Sequence, residues 1–221
     1  AWTGGGGIAS NGGTVLIQNN TIIENKSHWG GGIAIRGGDA TVVNNLIEGN
    51  QASDYCGGGL AHRGGNLVMT DNMVRNNSSN NGSLLGGGGV VLCNQGSAIL
   101  ERNIFEDNDA INGGAIFLYG NIFQNPAVLK NNIFRNNHAG QKGGAIALWN
   151  QAALETDGNT FEGNSGTSHG AAIHSENSIV QSQNDIFYGN MTPIETINIY
   201  GGGSFEAKHL TISNNSYYGV V

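Results

Sequence analysis

The chain repeats one short motif, in which an apolar residue or threonine is followed three positions later by asparagine. Successive asparagines of this motif are 24 to 31 residues apart, a period typical of solenoids. The repeat predicts a single elongated domain over residues 1–221, with about eight coils and no clear caps. The eight pairs are Ile22/Asn25, Ile47/Asn50, Val74/Asn77, Phe105/Asn108, Phe134/Asn137, Phe161/Asn164, Phe187/Asn190 and Thr211/Asn214.

A second motif alternates with the first: small residues, mostly glycines, followed by an aliphatic residue, as in Gly113 to Ile116 and Gly143 to Ile146. Apolar residues then alternate with period two in short runs, which favours strands over helices. Within one coil, residues 31–35, 40–43 and 45–47 are predicted strands, and the stretch after Asn50 is a predicted corner. The predicted fold is therefore all-β, a parallel β-helix formed by one chain with three short strands per coil.

The repeated asparagines are predicted to form a ladder along the inside of the solenoid. A residue at the same position of every coil stacks on itself, and an asparagine amide can both donate and accept hydrogen bonds along such a stack. The predicted ladder consists of Asn25, Asn50, Asn77, Asn108, Asn137, Asn164, Asn190 and Asn214. A second series is less regular and is predicted to occupy a looser surface position; it consists of Asn20, Asn45, Asn72, Asn103, Asn132, Asn159, Asp185 and His209.

Functional chemistry is expected on the outer face of the first strand of each coil. Three residues after each aliphatic anchor, the predicted column reads Asn11, Arg36, Arg63, Cys93, Tyr119, Trp149, Glu176 and Tyr200, with Phe117 and His174 alongside. Aromatic rings stack on sugars and arginines bind carboxylates in a forked geometry, so this column is a candidate glycan-binding face. The alternatives are ordinary solvent-facing residues or an interface between protomers.

A catalytic role for the same face requires a base and a cation close together. The candidates are His174 or Glu176 as base, with Arg36 or Arg63 as cation. These lie four or five coils apart in the predicted register, which is about 20 Å or more at ~4.8 Å per coil. We therefore predict no catalytic residues and a protein that is not an enzyme.

Another outward column alternates in charge from coil to coil, and its role is predicted to be structural. Stacked opposite charges favour one register of the coils. The column reads Glu48, Arg75, Glu106, Arg135 and Glu162, and a shorter one reads Glu101, Lys130 and Asp157. The aspartates do not follow a metal-ligand spacing, so neither a metal nor another cofactor is predicted.

Composition narrows the choice of partner and compartment. The net charge of -7 argues against nucleic acid or an anionic membrane surface, and no apolar run is long enough for a membrane span. A start at Ala1, with 38 glycines and few lysines, is typical of a secreted or cell-surface protein. Cys56 and Cys93 are predicted to lie too far apart for a disulfide bond.

The Gly-Gly-Ala-Ile and Phe-x-x-Asn motifs, at Gly113 to Ile116 and Phe105 to Asn108 for example, resemble the passenger repeats of the chlamydial polymorphic membrane proteins. More broadly, they resemble right-handed β-helix repeats of the pectate-lyase superfamily. The resemblance covers nearly the whole chain and implies a right-handed coil. It also implies a surface-displayed adhesive passenger.

The two ends are predicted to correspond to equivalent points of the repeat. The segment with Trp2 matches the one with Trp29, and Tyr217 and Tyr218 precede an equivalent position. Two explanations remain: a segment of a longer β-helix, or a subunit that self-associates end to end into a filament through these residues. The predicted function is an extracellular structural or adhesive solenoid, with a glycan or another cell-surface molecule as ligand. The alternative is a carbohydrate-binding or polysaccharide-cleaving β-helix that uses the arginine and aromatic face.

Overall fold

In the computed structural model, the described residues are 4–53, 57–79, 86–93, 96–120 and 125–217, with side chains up to residue 215. They form four parallel sheets of eight strands each, and every strand pairs with its counterpart in the neighbouring coil. The predicted all-β parallel β-helix is confirmed. The prediction of three strands per coil is wrong, because the stretch after Asn50, a predicted corner, contributes the short strand Gln51–Ala52 to a fourth sheet.

The strands of the four sheets follow one another in strict rotation along the chain. The first sheet contains Ile8–Asn11, Ile33–Arg36, Leu60–Arg63, Val90–Cys93, Ile116–Tyr119, Ile146–Trp149, Ile173–Glu176 and Ile197–Tyr200. The second contains Val15–Gln18, Ala40–Val43, Leu67–Thr70, Ala98–Glu101, Ala127–Lys130, Ala153–Asp157, Ile179–Gln183 and Ser204–Lys208. The third contains Thr21–Ile23, Leu46–Glu48, Met73–Arg75, Ile104–Glu106, Ile133–Arg135, Thr160–Glu162, Ile186–Tyr188 and Thr211–Ser213. The fourth contains Lys26–Ser27, Gln51–Ala52, Ser78–Ser79, Asp109–Asn112, His138–Lys142, Ser165–Gly166, Met191–Thr192 and Ser216–Tyr217.

The core is a narrow column of side chains that stack on their own kind. On the third sheet, the rings of Phe105, Phe134, Phe161 and Phe187 lie parallel, with centroids 4.7 to 5.0 Å apart. All four side chains are fully buried. Offset stacking of rings adds a favourable contribution to the burial of apolar area, so this column both fills the interior and fixes the register of the third sheet.

The asparagine ladder is confirmed as far as Asn190. The side-chain amide of Asn50 donates to Oδ1 of Asn77 and to the backbone carbonyl of Ile22, and its own Oδ1 accepts from the backbone and the side chain of Asn25. The same pattern continues to Asn190. The oxygen of each side chain thereby accepts a hydrogen bond from the backbone N–H of the asparagine in the preceding coil, a corner group that would otherwise be buried without a partner.

The last member of the predicted ladder is wrong. Asn190 donates to Oδ1 of Asn215, whereas Asn214 is an exposed corner residue with a φ of 52°. Ile212, not Thr211, stands opposite Phe187 in the sheet. The rule of an apolar residue followed three positions later by asparagine therefore still holds, as Ile212/Asn215.

The second asparagine series is also not where it was expected. From Asn45 to Asn159 these side chains are at most 3% exposed, and they form a second ladder with the same hydrogen bonds as the first. Asp185 ends it by accepting from both nitrogens of Asn159 and from the hydroxyl of Ser182. In the next coil His209 is a corner residue with a φ of 52°, outside this ladder.

Candidate functional site

The predicted column on the first sheet exists as a continuous outward file. The strand register places Arg36 beside Arg63, Tyr119 beside Trp149, and Glu176 beside Tyr200 in successive coils. We call this column the outer file; its members are Asn11, Arg36, Arg63, Cys93, Tyr119, Trp149, Glu176 and Tyr200. The guanidinium groups occupy one end of the outer file and the aromatic rings the other.

Phe117 and His174 do not belong to the exposed face. They lie in the neighbouring outward column of the first sheet, where Phe117 is fully buried and His174 is 1% exposed. The cover is provided by the glycine turn that precedes each strand. A methyl group on Gly143, for example, would lie 2.9 Å from Cβ of Ala147, and the φ of Gly143 is +68°. Only glycine allows the chain to turn so closely over this column.

The covered column forms a small apolar cluster that supports the middle of the outer file. Val91, Phe117 and Ala147 are buried together, and Cys93, Tyr119 and Trp149 pack against them. The Trp149 ring meets Phe117 edge-on, with centroids 5.4 Å apart. Burial raises the pKa of the Cys93 thiol to about 11, so it stays protonated at neutral pH and is a poor nucleophile. Cys93 is free, whereas Cys56 lies outside the described residues.

At its aromatic end the outer file meets a group of charged side chains that the sequence analysis missed. Lys142 and His169 lie in adjacent coils just before their glycine turns, and Nδ1 of His169 is 2.9 Å from Oε1 of Glu195. Nζ of Lys142 is 3.4 Å from Oε2 of Glu176 and 5.8 Å from the centre of the Tyr200 ring. We call Lys142, Trp149, His169, His174, Glu176, Glu195 and Tyr200 the polar cluster.

His174 lies at the floor of the polar cluster. Its Nε2 is 3.7 Å from Oε2 of Glu176, which is too long for a hydrogen bond. Burial, followed by the nearby charge of Lys142, lowers the pKa of His174 to about 4, although Glu176 and Asn198 act in the opposite direction. The imidazole is therefore neutral at pH 7.

The two arginines remain far from this cluster. Arg63 and Glu176 are separated by four strand-to-strand steps in the register, or about 19 Å at ~4.8 Å per step. The predicted separation between the candidate bases and the arginines is thus confirmed. Within the described residues, no group of three or more histidine, cysteine, aspartate or glutamate side chains is arranged to hold a metal ion.

The charge-alternating column on the third sheet follows the predicted register. Arg75 Nη2 lies 3.0 Å from Glu48 Oε2, and Arg135 forms two hydrogen bonds to Glu106.

The structure says little about the residues predicted to make end-to-end contacts. Trp2 and Tyr218 lie outside the described residues, and the backbone of Tyr217 pairs with Thr192.

Comparison with known families agrees with this geometry. The family described as the right-handed β-helix region matches residues 79–221, more than half of the chain. The chain belongs to the right-handed β-helix family. The matched region includes the aromatic half of the outer file and the whole polar cluster. No curated protein and no solved structure shows significant similarity to the chain. The described residues contain no helix that is long and apolar enough to span a membrane.

Proposed function

We propose that this β-helix is an extracellular structural and adhesive scaffold that presents the outer file to a glycan or another polymeric ligand at a cell surface. The observation that carries the proposal is the outer file itself, which runs along the solenoid axis with two arginines at one end and three aromatic residues toward the other. Side chains that recur once per coil along a straight line suit an extended polymer, because successive units of the ligand contact successive coils.

The rest of the molecule supports a scaffold role. The interior is filled by aliphatic side chains, stacked phenylalanines and two asparagine ladders, which form a continuous packed base beneath the outer file. The likeness of the repeats to surface-adhesin passengers points in the same direction. Coil-on-coil pairing can also extend such a scaffold, either within a longer surface protein or between stacked copies. Electron microscopy at rising protein concentration tests the stacking, and particles that remain single would contradict it.

The adhesive proposal is tested by binding to an array of neutral and acidic polysaccharides. Replacing Arg36 and Arg63 together by alanine removes the guanidinium end of the outer file, and we expect at least about tenfold weaker binding to acidic polymers. Arg102→Ala is the matched control, because Arg102 is an exposed arginine between the second and third sheets that pairs with Asp71. Equal binding by wild type and the double variant, or no binding to any polymer, would overturn the proposal.

Polysaccharide cleavage is a second candidate function, favoured by the neutral imidazole of His174 beside Glu176. A neutral imidazole can accept a proton as a general base, and catalytic hydrogen bonds such as one to Glu176 are often long until the substrate binds. The assay is the release of unsaturated or reducing products from the same polysaccharides. Cleavage that is lost in His174→Ala would replace the adhesive proposal by an enzymatic one.

A further inference from the structure

The polar cluster has a regular construction that repeats over three successive coils. Lys142, His169 and Glu195 follow one another just before the first-sheet strands. Trp149, Glu176 and Tyr200 follow one another in the outer file. His174 lies between the two rows, in the column that is apolar in the preceding coils. Polar side chains thus replace the apolar column only at this end of the first sheet.

Two side chains in this cluster, the half-buried Trp149 and the buried His174, have buried polar atoms without partners among the described residues. These atoms are Nε1 of Trp149 and both ring nitrogens of His174. Leaving a buried donor or acceptor unpaired costs about 1–3 kcal/mol per group, so such groups are uncommon in a folded chain unless water, an ion or a ligand completes them. An indole N–H can only donate, whereas a neutral imidazole has one donor and one acceptor. A hydroxyl group, which both donates and accepts, matches this set.

The charges of the cluster do not favour an anionic ligand. The ammonium of Lys142 is compensated by Glu176, and Glu195 adds a second carboxylate beside His169. The cations of the face without an ion pair to any described residue are Arg36 and Arg63, several coils away. At the same time Tyr200 is 62% exposed and provides a ring for stacking. Charge therefore divides the outer file into a cationic end and an aromatic end that suits an uncharged partner.

We propose that the polar cluster is a subsite for an uncharged, hydroxyl-rich sugar unit that stacks on Tyr200 and bonds to Trp149, Lys142 and Glu176. The inference rests on the proposed adhesive function and specifies which part of the outer file takes which kind of sugar. Hydroxyl groups bridge Lys142 and Glu176 by accepting from the ammonium and donating to the carboxylate. The indole N–H of Trp149 donates to a further hydroxyl once the ring turns its buried Nε1 toward the ligand.

The test compares cellohexaose, a neutral probe, with an oligogalacturonate of the same length. Binding is followed by NMR through the indole N–H signal of Trp149, which is assigned by its absence in Trp149→Phe. We expect cellohexaose to shift this signal and to bind about tenfold more weakly to Trp149→Phe, which keeps an aromatic ring but loses the donor. Glu176→Gln should also weaken binding, whereas Glu155→Gln, an exposed glutamate on the second sheet, should not.

Several outcomes would overturn the subsite. They are no binding of cellohexaose, tighter binding of the oligogalacturonate than of cellohexaose at Trp149, or cellohexaose affinities of Trp149→Phe and Glu176→Gln that both equal that of the wild type. The two proposals fail separately. Adhesion that depends on Arg36 and Arg63 without any cellohexaose binding removes the subsite and leaves the adhesive function. Cellohexaose binding at Trp149 without adhesion to any polymer leaves the subsite and removes the adhesive function.

Discussion

The phenylalanine column of the third sheet and the outer file of the first sheet are built by the same coil-on-coil pairing, but they differ in what is repeated. Inside, Phe134 has a phenylalanine above and below it. Outside, Trp149 has Tyr119 on one side and Glu176 on the other. Stacking of identical side chains improves the packing of the core, because each ring fits against a copy of itself. A column that changes along the axis gains nothing comparable from stacking, so its residues are free to meet a ligand.

The largest expected effect comes from removing one ring of the inner column. Phe134→Ala should lower the free energy of unfolding by about 4 kcal/mol, because it leaves a cavity between two stacked rings. Tyr200→Ala, in the exposed outer file, should change it by less than about 0.5 kcal/mol. Urea unfolding followed by circular dichroism measures both. Similar losses in the two variants would break the contrast between an inner packing column and an outer contact file.

A smaller effect is expected at the equivalent corners of two adjacent coils, where a buried and an exposed asparagine have opposite roles. Asn108→Ala removes the acceptor for both nitrogens of Asn77 and the donor to Val74 and Asn137, so we expect a loss of about 3 kcal/mol. Asn136 is an exposed corner residue with a φ of 53°, a conformation that glycine adopts readily. Asn136→Gly should therefore be nearly neutral in the same unfolding experiment. A neutral Asn108→Ala would show that the ladder does not stabilise the fold.

The smallest expected effect is on the pH dependence of stability, through a histidine inside the solenoid. His62 is fully buried on the inner side of the first sheet, between Ile35 and Leu92, and burial lowers its pKa. Below the ordinary histidine pKa of about 6.5 the unfolded chain takes up a proton that the folded chain resists, so stability falls as the pH falls. Replacing His62 by leucine should reduce this slope by at most about 1.4 kcal/mol per pH unit.

Unfolding midpoints at pH 7, 6 and 5 measure this slope. His174, whose pKa is lowered to about 4, contributes in the same direction between about pH 6.5 and 4, so His174→Asn serves as a comparison from the outer side. An unchanged slope in His62→Leu would mean that the inner histidine has no part in the acid sensitivity.

The repeat alone predicted much of the fold and of the outer file. The spacing of the glycine and asparagine motifs placed Arg36, Tyr119 and Trp149 in one column, and the strand register confirms it. The last member of the ladder also has a sequence signal, because Ile212 and Asn215 keep the apolar-to-asparagine spacing that Thr211 and Asn214 imitate. The second ladder also had a signal, since each Asn from Asn45 to Asn159 stands two positions before a buried member of the inner column.

Sequence period by itself determined which residues share a column, because a solenoid converts equal spacing along the chain into contact between coils. Only the tertiary structure decided which columns are covered. Phe117 and His174 alternate outward like exposed residues, yet the glycine turns fold over them. It also brought Lys142 to Glu176, which belong to different sheets and lie 34 positions apart in sequence. Burial and proximity depend on how one sheet turns into the next, and a repeat period contains no information about the shape of that corner.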